Sequence, residues 1–563
     1  MLVMSVAPRR GEGDASRGQG VGTTSQKRVE TLTPTQSASP DRLCDLIRNV
    51  PADAPLFLLP GQANYTYGTL REESARLAAV FHARGIGRGD TVALCLGNRP
   101  EWMVTAFAAW QIGAAILALN PRFGAKEIGD LIRRTGARAL VLAPGYRNGA
   151  VADTVSRVTD ENRASLELVL SADGASPEGL VPGTETLILS DLPDAPAVEV
   201  LAEPGDACLY LATSGTTSLP KIVRHIQDRV VRHCRNAAAA IGYGPDSRTV
   251  LAIPFCGGYG FAVAMTSIAS GIPIVLQDAF DPEEVSRQIN ELGVTHAMGT
   301  NDMLDLLLKV TPGDRPFPGL KMFGHANFTP GLTELPPEAE RRGVLMRGFY
   351  GLSETLAFVA ARSADAPLAE RQEGGGTLTT PGARLRIADP ETGAEQPEGE
   401  AGEVQILSPN VMAGYLNDPA RTAAAFTGDG YLRTGDLGVR GPGDSFTFLT
   451  RMNDILRIGG YLVAPEEIEA VIKEDPAVAQ CQVVSVTLKQ GPRPVAFIVP
   501  ATAATPDHAA LTERCRSQLA IYKVPVRIFE IAEIPVVDGP NGLKVRKNEL
   551  RDMARESLSD ELA

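Results

Sequence analysis

Read for apolar and polar positions alone, the chain alternates between helical and strand periods from about Tyr65 onward. In "LREESARLAAVFHARG" (Leu70–Gly85) apolar residues recur at the spacing of a helix with one buried face, and a glycine ends the run. "DTVALCLG" (Asp90–Gly97) is a short apolar run between turn residues, as a buried strand would be, and "WMVTAFAAWQIGA" (Trp102–Ala114) is helical again. The alternation recurs at "ARALVLA" (Ala137–Ala143), "IPIVLQ" (Ile272–Gln277), "PEEVSRQINELG" (Pro282–Gly293), "THAMGT" (Thr295–Thr300) and "NDMLDLLLKV" (Asn301–Val310). Strands alternating with helices predict an α/β fold with layered, largely parallel sheets.

The pattern changes after Gly374, where turn residues and short alternating strands predict a smaller β-rich subdomain. From Asp454 the order is strand, helix ("PEEIEAVIKE"), two strands ("VAQCQVVSVTL", "RPVAFIVP"), helix ("LTERCRSQLA"), strand and helix, enough for a separate α+β domain. The expected organisation is a disordered leader over 1–40, a large multi-subdomain N-terminal domain over 41–452, and a small C-terminal domain over 453–563. The leader is expected because its Gly, Ser, Thr, Arg and Pro content offers little to bury.

Composition narrows the function classes. The 563 residues are 44% hydrophobic and 21% charged, which is ordinary for a globular protein. A net charge of -13 disfavours nucleic-acid binding through bulk electrostatics, and no apolar run approaches the length of a membrane span. Seven cysteines without a CxxC pair and six histidines without ligand spacing argue against a dedicated transition-metal site and a disulfide framework. A cytoplasmic setting is the expectation.

The chemistry concentrates in a few loops. "TSGTTSLPK" (Thr213–Lys221) follows the apolar run "ACLYLA" and crowds five hydroxyls, a glycine and a lysine into nine residues. It reads either as a surface turn or as a polyphosphate loop, where backbone N–H groups form an anion nest and Lys221 adds charge. "GFYGLSETLAF" groups Tyr350, Gly351, Ser353 and Glu354: a ring that could stack on a base, and a carboxylate that could hold Mg2+. "YLRTGDLG" sets Asp436 behind a Thr-Gly turn, where a carboxylate can accept both ribose hydroxyls. "PNGLKVRKNELR" carries Lys544 on a glycine-bearing loop. Each has an ordinary reading too: Tyr350 as core, Asp436 as an N-cap, Lys544 as a solvated side chain.

In their order and spacing these motifs, with "TRMNDILRIGGYLVAPEEIE", resemble the adenylate-forming superfamily of acyl-CoA synthetases, peptide-synthetase adenylation domains and luciferases. The resemblance spans about residues 40 to 555. It implies that Thr213, Ser214, Gly215, Thr216, Thr217 and Lys221 line the triphosphate of ATP. Tyr350 would pack on adenine beside Gly351 and Ser353, and Glu354 would be the metal ligand. Asp436 and Arg451 would grip the ribose. Thr213, Glu354 and Lys544 would be catalytic, with Lys544 bridging the substrate carboxylate and the phosphate under attack. Asn453 would be the hinge of a mobile C-terminal domain, and Gly459 and Gly460 would border the pantetheine tunnel. Cys256, Gly257, Tyr259, His325, Ala326 and Asn327 would line the substrate pocket; His325 is open to a polar ring contact or to packing in its loop.

The chain departs from the family at several places. Glycine is usual where Ser218 and Ile222 stand, threonine where Ser353 stands, and Asp or Lys where Asn453 stands. Leu543 separates Gly542 from Lys544, and "IPFCGGYGF" has Cys256 and Gly257 where many CoA ligases have an aromatic-His pair. Cys256 reads as a buried small side chain rather than a nucleophile. The implied reaction is ATP- and Mg2+-dependent activation of a carboxylic acid, aromatic acids included, as acyl-AMP, followed by transfer to CoA. The alternatives are transfer to the pantetheine of an acyl or peptidyl carrier protein, activation of a small anion such as nitrite for attack by an amine, and, last, a non-catalytic nucleotide-binding module.

Overall fold

The computed structural model describes residues 41–213, 220–326, 332, 334–452, 456–458, 461–463, 465–489, 491–502, 504–519, 521–539 and 542–559. Two sheets dominate as far as residue 451. In the eight-stranded sheet, Glu185–Ile188, Leu168–Ser171, Ala139–Leu142, Thr91–Cys95, Ala115–Ala118 and Ala207–Thr213 run parallel in that order. Lys221–Ile226 and then Gly414–Tyr415 close its edge antiparallel. The interior strands are buried on both faces, as continuous apolar runs must be.

In the thirteen-stranded sheet a parallel half runs from Pro55–Leu58 through Ile274–Leu276, Thr249–Leu251, His296–Thr300 and Met322–Ala326 to Met346–Tyr350. Beyond Tyr350 every pairing is antiparallel, through Ala360–Ala361, Gly375–Leu378, Ser445–Arg451, Leu432–Arg440, Ala401–Leu407 and Arg384–Ala388. These antiparallel strands are the β-rich subdomain expected after Gly374. They extend the parallel sheet, because Met346–Tyr350 would otherwise expose a row of unpaired backbone groups at its edge.

Helices Pro100–Gln111 and Gly258–Ala269 are buried almost all round and share one core with residues of both sheets. A helix apolar on every side needs cover on every side, which a layer between two sheets provides. Ala125–Thr135 buries one face on the outside of the eight-stranded sheet; Pro282–Glu291 and Asn301–Val310 do the same on the thirteen-stranded sheet. The helix foreseen from Leu70 begins at Tyr67, because the Thr66 side chain accepts the Thr69 N–H at 3.1 Å and caps it. His325, read as a loop residue, lies on the strand Met322–Ala326.

Further on, Val478–Leu488 and Gly491–Pro500 form an antiparallel hairpin with Arg527–Glu530 parallel beside it. Pro465–Lys473 and His508–Gln518 pack on one face and Lys547–Ser557 on the other.

Candidate active site

Several of the singled-out residues sit where a parallel sheet ends. Thr213, Ala326 and Tyr350 are each the last residue of a strand in a parallel array, the rim at which open α/β sheets bind ligands. Thr213 stands opposite Lys221 across the hairpin mouth, and its hydroxyl lies 3.5 Å from the Lys221 carbonyl. Arg134 holds the exit of the intervening loop by donating to the Pro220 carbonyl at 2.7 Å. Ser214, Gly215, Thr216 and Thr217 lie outside the described residues.

Tyr350, Asp436 and Arg451 meet at the start of the antiparallel half. The Tyr350 hydroxyl donates to Asp436 Oδ2 at 2.6 Å, and its ring packs edge-on against Phe446 at 5.1 Å. Asp436 is no N-cap; it lies within the strand Leu432–Arg440, directly opposite Arg451. A bulge aims it inward: between Arg433 and Leu437 the strand carries extra residues relative to its neighbour, and Gly435 adopts φ 69°, where glycine is at ease. The Thr434 hydroxyl accepts the Asp436 N–H at 3.1 Å and fixes the turn.

The carboxylate of Asp436 is 1% exposed, and burial pushes it up to about 6. Arg451 Nε lies 3.0 Å from Oδ1 and pulls the other way. Oδ1 nevertheless makes no hydrogen bond among the described residues. A buried carboxylate oxygen that is ion-paired but makes no hydrogen bond keeps acceptor capacity that a ligand hydroxyl can fill.

The loop after Tyr350 carries Glu354. Gly351 is required there: a Cβ at this position would come within 2.4 Å of Ala357 Cα, because the chain folds back over it. Leu356, Ala357 and Phe358 all have positive φ, at 56°, 55° and 42°, an uncommon run for non-glycine residues. Two buried histidines hold this strained turn. His225 Nε2 donates to the Ser353 carbonyl at 2.8 Å, and His233 Nε2 to the Leu356 carbonyl at 3.0 Å. Burial depresses both imidazoles to about 4, so they stay neutral and keep donating at neutral pH. Glu354 Oε1 accepts the Tyr415 hydroxyl at 2.8 Å, and Lys221 Nζ lies 3.4 Å from the same hydroxyl.

At the start of helix Gly258–Ala269, Cys256 is buried and Gly257 is the N-cap residue. Burial pushes the Cys256 thiol up to about 12, which makes it a packing group rather than a nucleophile. Tyr259 donates to the carbonyls of Gly299 and Gly324, each at 3.2 Å, and so ties this helix to the ends of two parallel strands. His325 is buried and Ala326 half-buried. Asn327, Asn453, Gly459, Gly460 and the side chain of Lys544 lie outside the described residues; the Lys544 backbone belongs to the strand Gly542–Val545.

A model of the AMP-binding enzyme family matches residues 47–416, and one of the AMP-binding enzyme C-terminal domain matches 467–538. The chain belongs to the AMP-binding enzyme family. The 2-succinylbenzoate–CoA ligase of Geobacillus kaustophilus is 30% identical over 476 residues, covering 84% of this chain and 91% of that one. A 4-coumarate–CoA ligase of Oryza sativa is 28% identical over 519 residues, 90% of each chain. The crystal structure of ATP-bound MatB from Rhodopseudomonas palustris superposes with a TM-score of 0.78 at 25% identity, covering 92% of this chain and all of that one.

In this AMP-binding enzyme three contributors to the site escaped the sequence reading. Tyr415, His225 and His233 stand in no motif considered there, and their roles come from strands and helices distant in sequence. Asn98 is a fourth: its amide donates to the Ile253 and Gln277 carbonyls at 2.9 Å each, and its carbonyl accepts the Phe255 N–H at 2.8 Å. That one side chain pins the loop bearing Cys256 to the neighbouring strand ends.

Proposed function

We propose that the chain is an ATP-dependent, AMP-forming acid–CoA ligase. A substrate carboxylate oxygen attacks the α-phosphorus of ATP, the bond to pyrophosphate breaks, and acyl-AMP forms. The CoA thiol then attacks the acyl carbon and AMP leaves. The observation that carries this reading is the buried Asp436 carboxylate, whose Oδ1 lacks a hydrogen bond beside the Tyr350 ring. A ribose hydroxyl would satisfy it, with adenine against Tyr350 and Arg451 at the rim.

The opposite side of the site suits the phosphates. Lys221 faces Glu354 across the Tyr415 hydroxyl. Among the described residues no cluster of three His, Cys, Asp or Glu could hold a metal by itself. A single half-buried carboxylate fits Mg2+, which is commonly held by one or two carboxylates plus substrate phosphates. When bound there, Mg2+ neutralises phosphate charge; Glu354 would hold it and Lys221 would add a second cation. Lys544 would bridge the attacking carboxylate and the α-phosphate. Cys256, Gly257, Tyr259, His325 and Ala326 would shape the acid pocket, with the aromatic-His pair absent.

Pyrophosphate release across aromatic acids, aliphatic acids and nitrite, each with CoA, a carrier protein or an amine, tests the reading. The acids named for two relatives, 2-succinylbenzoate and 4-coumarate, are aromatic, so aromatic acids lead the panel. Acid-dependent release with a CoA thioester as product is expected. Thioester formed only on the carrier protein would replace the acceptor. Release with nitrite and an amine, but with no acid, would overturn acid activation.

A further inference from the structure

We propose that Tyr415 is a positioning residue: its hydroxyl keeps Glu354 and Lys221 from collapsing onto each other, leaving the carboxylate for the cation and the ammonium for phosphate. The proposal rests on the nucleotide-site reading above.

The geometry is that of a neutral spacer between opposite charges. The hydroxyl donates to Glu354 Oε1 at 2.8 Å and receives Lys221 Nζ at 3.4 Å, while the ammonium lies 4.9 Å from the ring centroid. Lys221 and Glu354 make no direct ion pair among the described residues. Opposite unit charges at a partly buried site attract each other, and a lysine stem is flexible enough to close the gap. A direct pair would neutralise both groups.

The phenol is held in place by its backbone. Gly414–Tyr415 pairs with the edge of Lys221–Ile226, the strand that begins at Lys221. The Tyr415 N–H donates to Thr422 Oγ1 at 2.9 Å, and the Met412 N–H donates to the Glu354 carbonyl at 2.8 Å. Tyr415 is 7% exposed, and burial followed by the Glu354 charge pushes the phenol above its ordinary value.

The test is equilibrium binding of ATP by calorimetry as Mg2+ is raised, in the full chain and four variants. Tyr415→Phe is expected to raise the half-saturating Mg2+ about tenfold, the scale of one charge-assisted hydrogen bond. Adding Lys221→Gln to Tyr415→Phe should return it to the value of Lys221→Gln alone, since no ammonium remains to collapse onto Glu354. An unchanged Mg2+ dependence in Tyr415→Phe, or a double variant showing both losses in full, would overturn the proposal. Glu354→Gln separates the two readings. If it leaves the Mg2+ dependence unchanged, the site assignment itself fails; if it raises it while Tyr415→Phe does not, only the spacer fails. Thermal melting checks folding. Should the Phe variant melt early, binding is measured below its melting range, and the same fold rise on adding Tyr415→Phe to Lys221→Gln as to wild type counts against the spacer.

Discussion

Asp436 shows one residue trading stability for binding. Burial raises its proton affinity above that of an unfolded aspartate, whose ordinary value is about 3.9. Below about pH 4 the carboxyl is neutral in both states and costs nothing. The cost grows as pH rises to about 6 and is complete above it, on the order of 3 kcal/mol from a shift of about two units. Removing the charge takes away the Asp436 ion pair of Arg451, but that side chain is 54% exposed and water can take over. Asp436→Asn should therefore melt no lower than wild type at pH 8 and bind ATP at least about tenfold more weakly. Melting curves and calorimetry read the two effects; lost stability with unchanged ATP affinity would remove Asp436 from the nucleotide site. The wild-type ATP affinity should also fall as pH drops through about 6, where the carboxylate takes a proton. The "RTGD" motif was legible as a turn with a carboxylate after it. Its burial, and the oxygen left without a hydrogen bond, were not, because both depend on the strand that pairs beside it.

The element of most consequence is the turn from Gly351 to Phe358. Its sequence announced a glycine, a hydroxyl and a carboxylate; it gave no sign of three consecutive positive φ angles or of what holds them. The restraint comes from His225 on a strand and His233 on a helix, both neutral and donating to loop carbonyls. Each is depressed to about 4 by burial, against about 6.5 when unfolded. Between those values the unfolded chain binds protons that the native state refuses. Their stabilisation is therefore complete above about pH 6.5, is lost as pH falls, and changes no further below about pH 4. Each accounts for on the order of 3 kcal/mol over that window. His233→Gln, which keeps an N–H donor without a titrating ring, should flatten the fall in melting temperature between pH 6.5 and 4 relative to wild type. Parallel melting profiles would show that His233 does not control the acid sensitivity of this turn. These histidines were invisible as site residues because nothing in "VRHIQDRVVRHC" points to a loop more than a hundred residues away.

For the whole molecule, Lys544 is the test of how the two parts cooperate. Its backbone pairs with Val537 in the hairpin before the last helix, far along the chain from every strand of the nucleotide site. If it supplies a cation to the developing charge at the α-phosphate, Lys544→Ala should slow adenylate formation by about 10²–10³. The same variant given preformed acyl-AMP should still form the CoA thioester, because the lysine is needed only in the first half-reaction. Equal loss in both half-reactions would rule out such a division of labour. The sequence by itself determined the alternation of strands and helices, the parallel sheets and the motif loops, because hydrophobic period and turn chemistry are local properties. It also determined the family, since five motifs recur in order. Tertiary structure alone decided that the β-rich segment continues the parallel sheet, that a bulge turns Asp436 inward, and that Tyr415 stands between Glu354 and Lys221. Those outcomes depend on which edges and faces meet, and backbone groups and charges find their partners only after distant segments have packed.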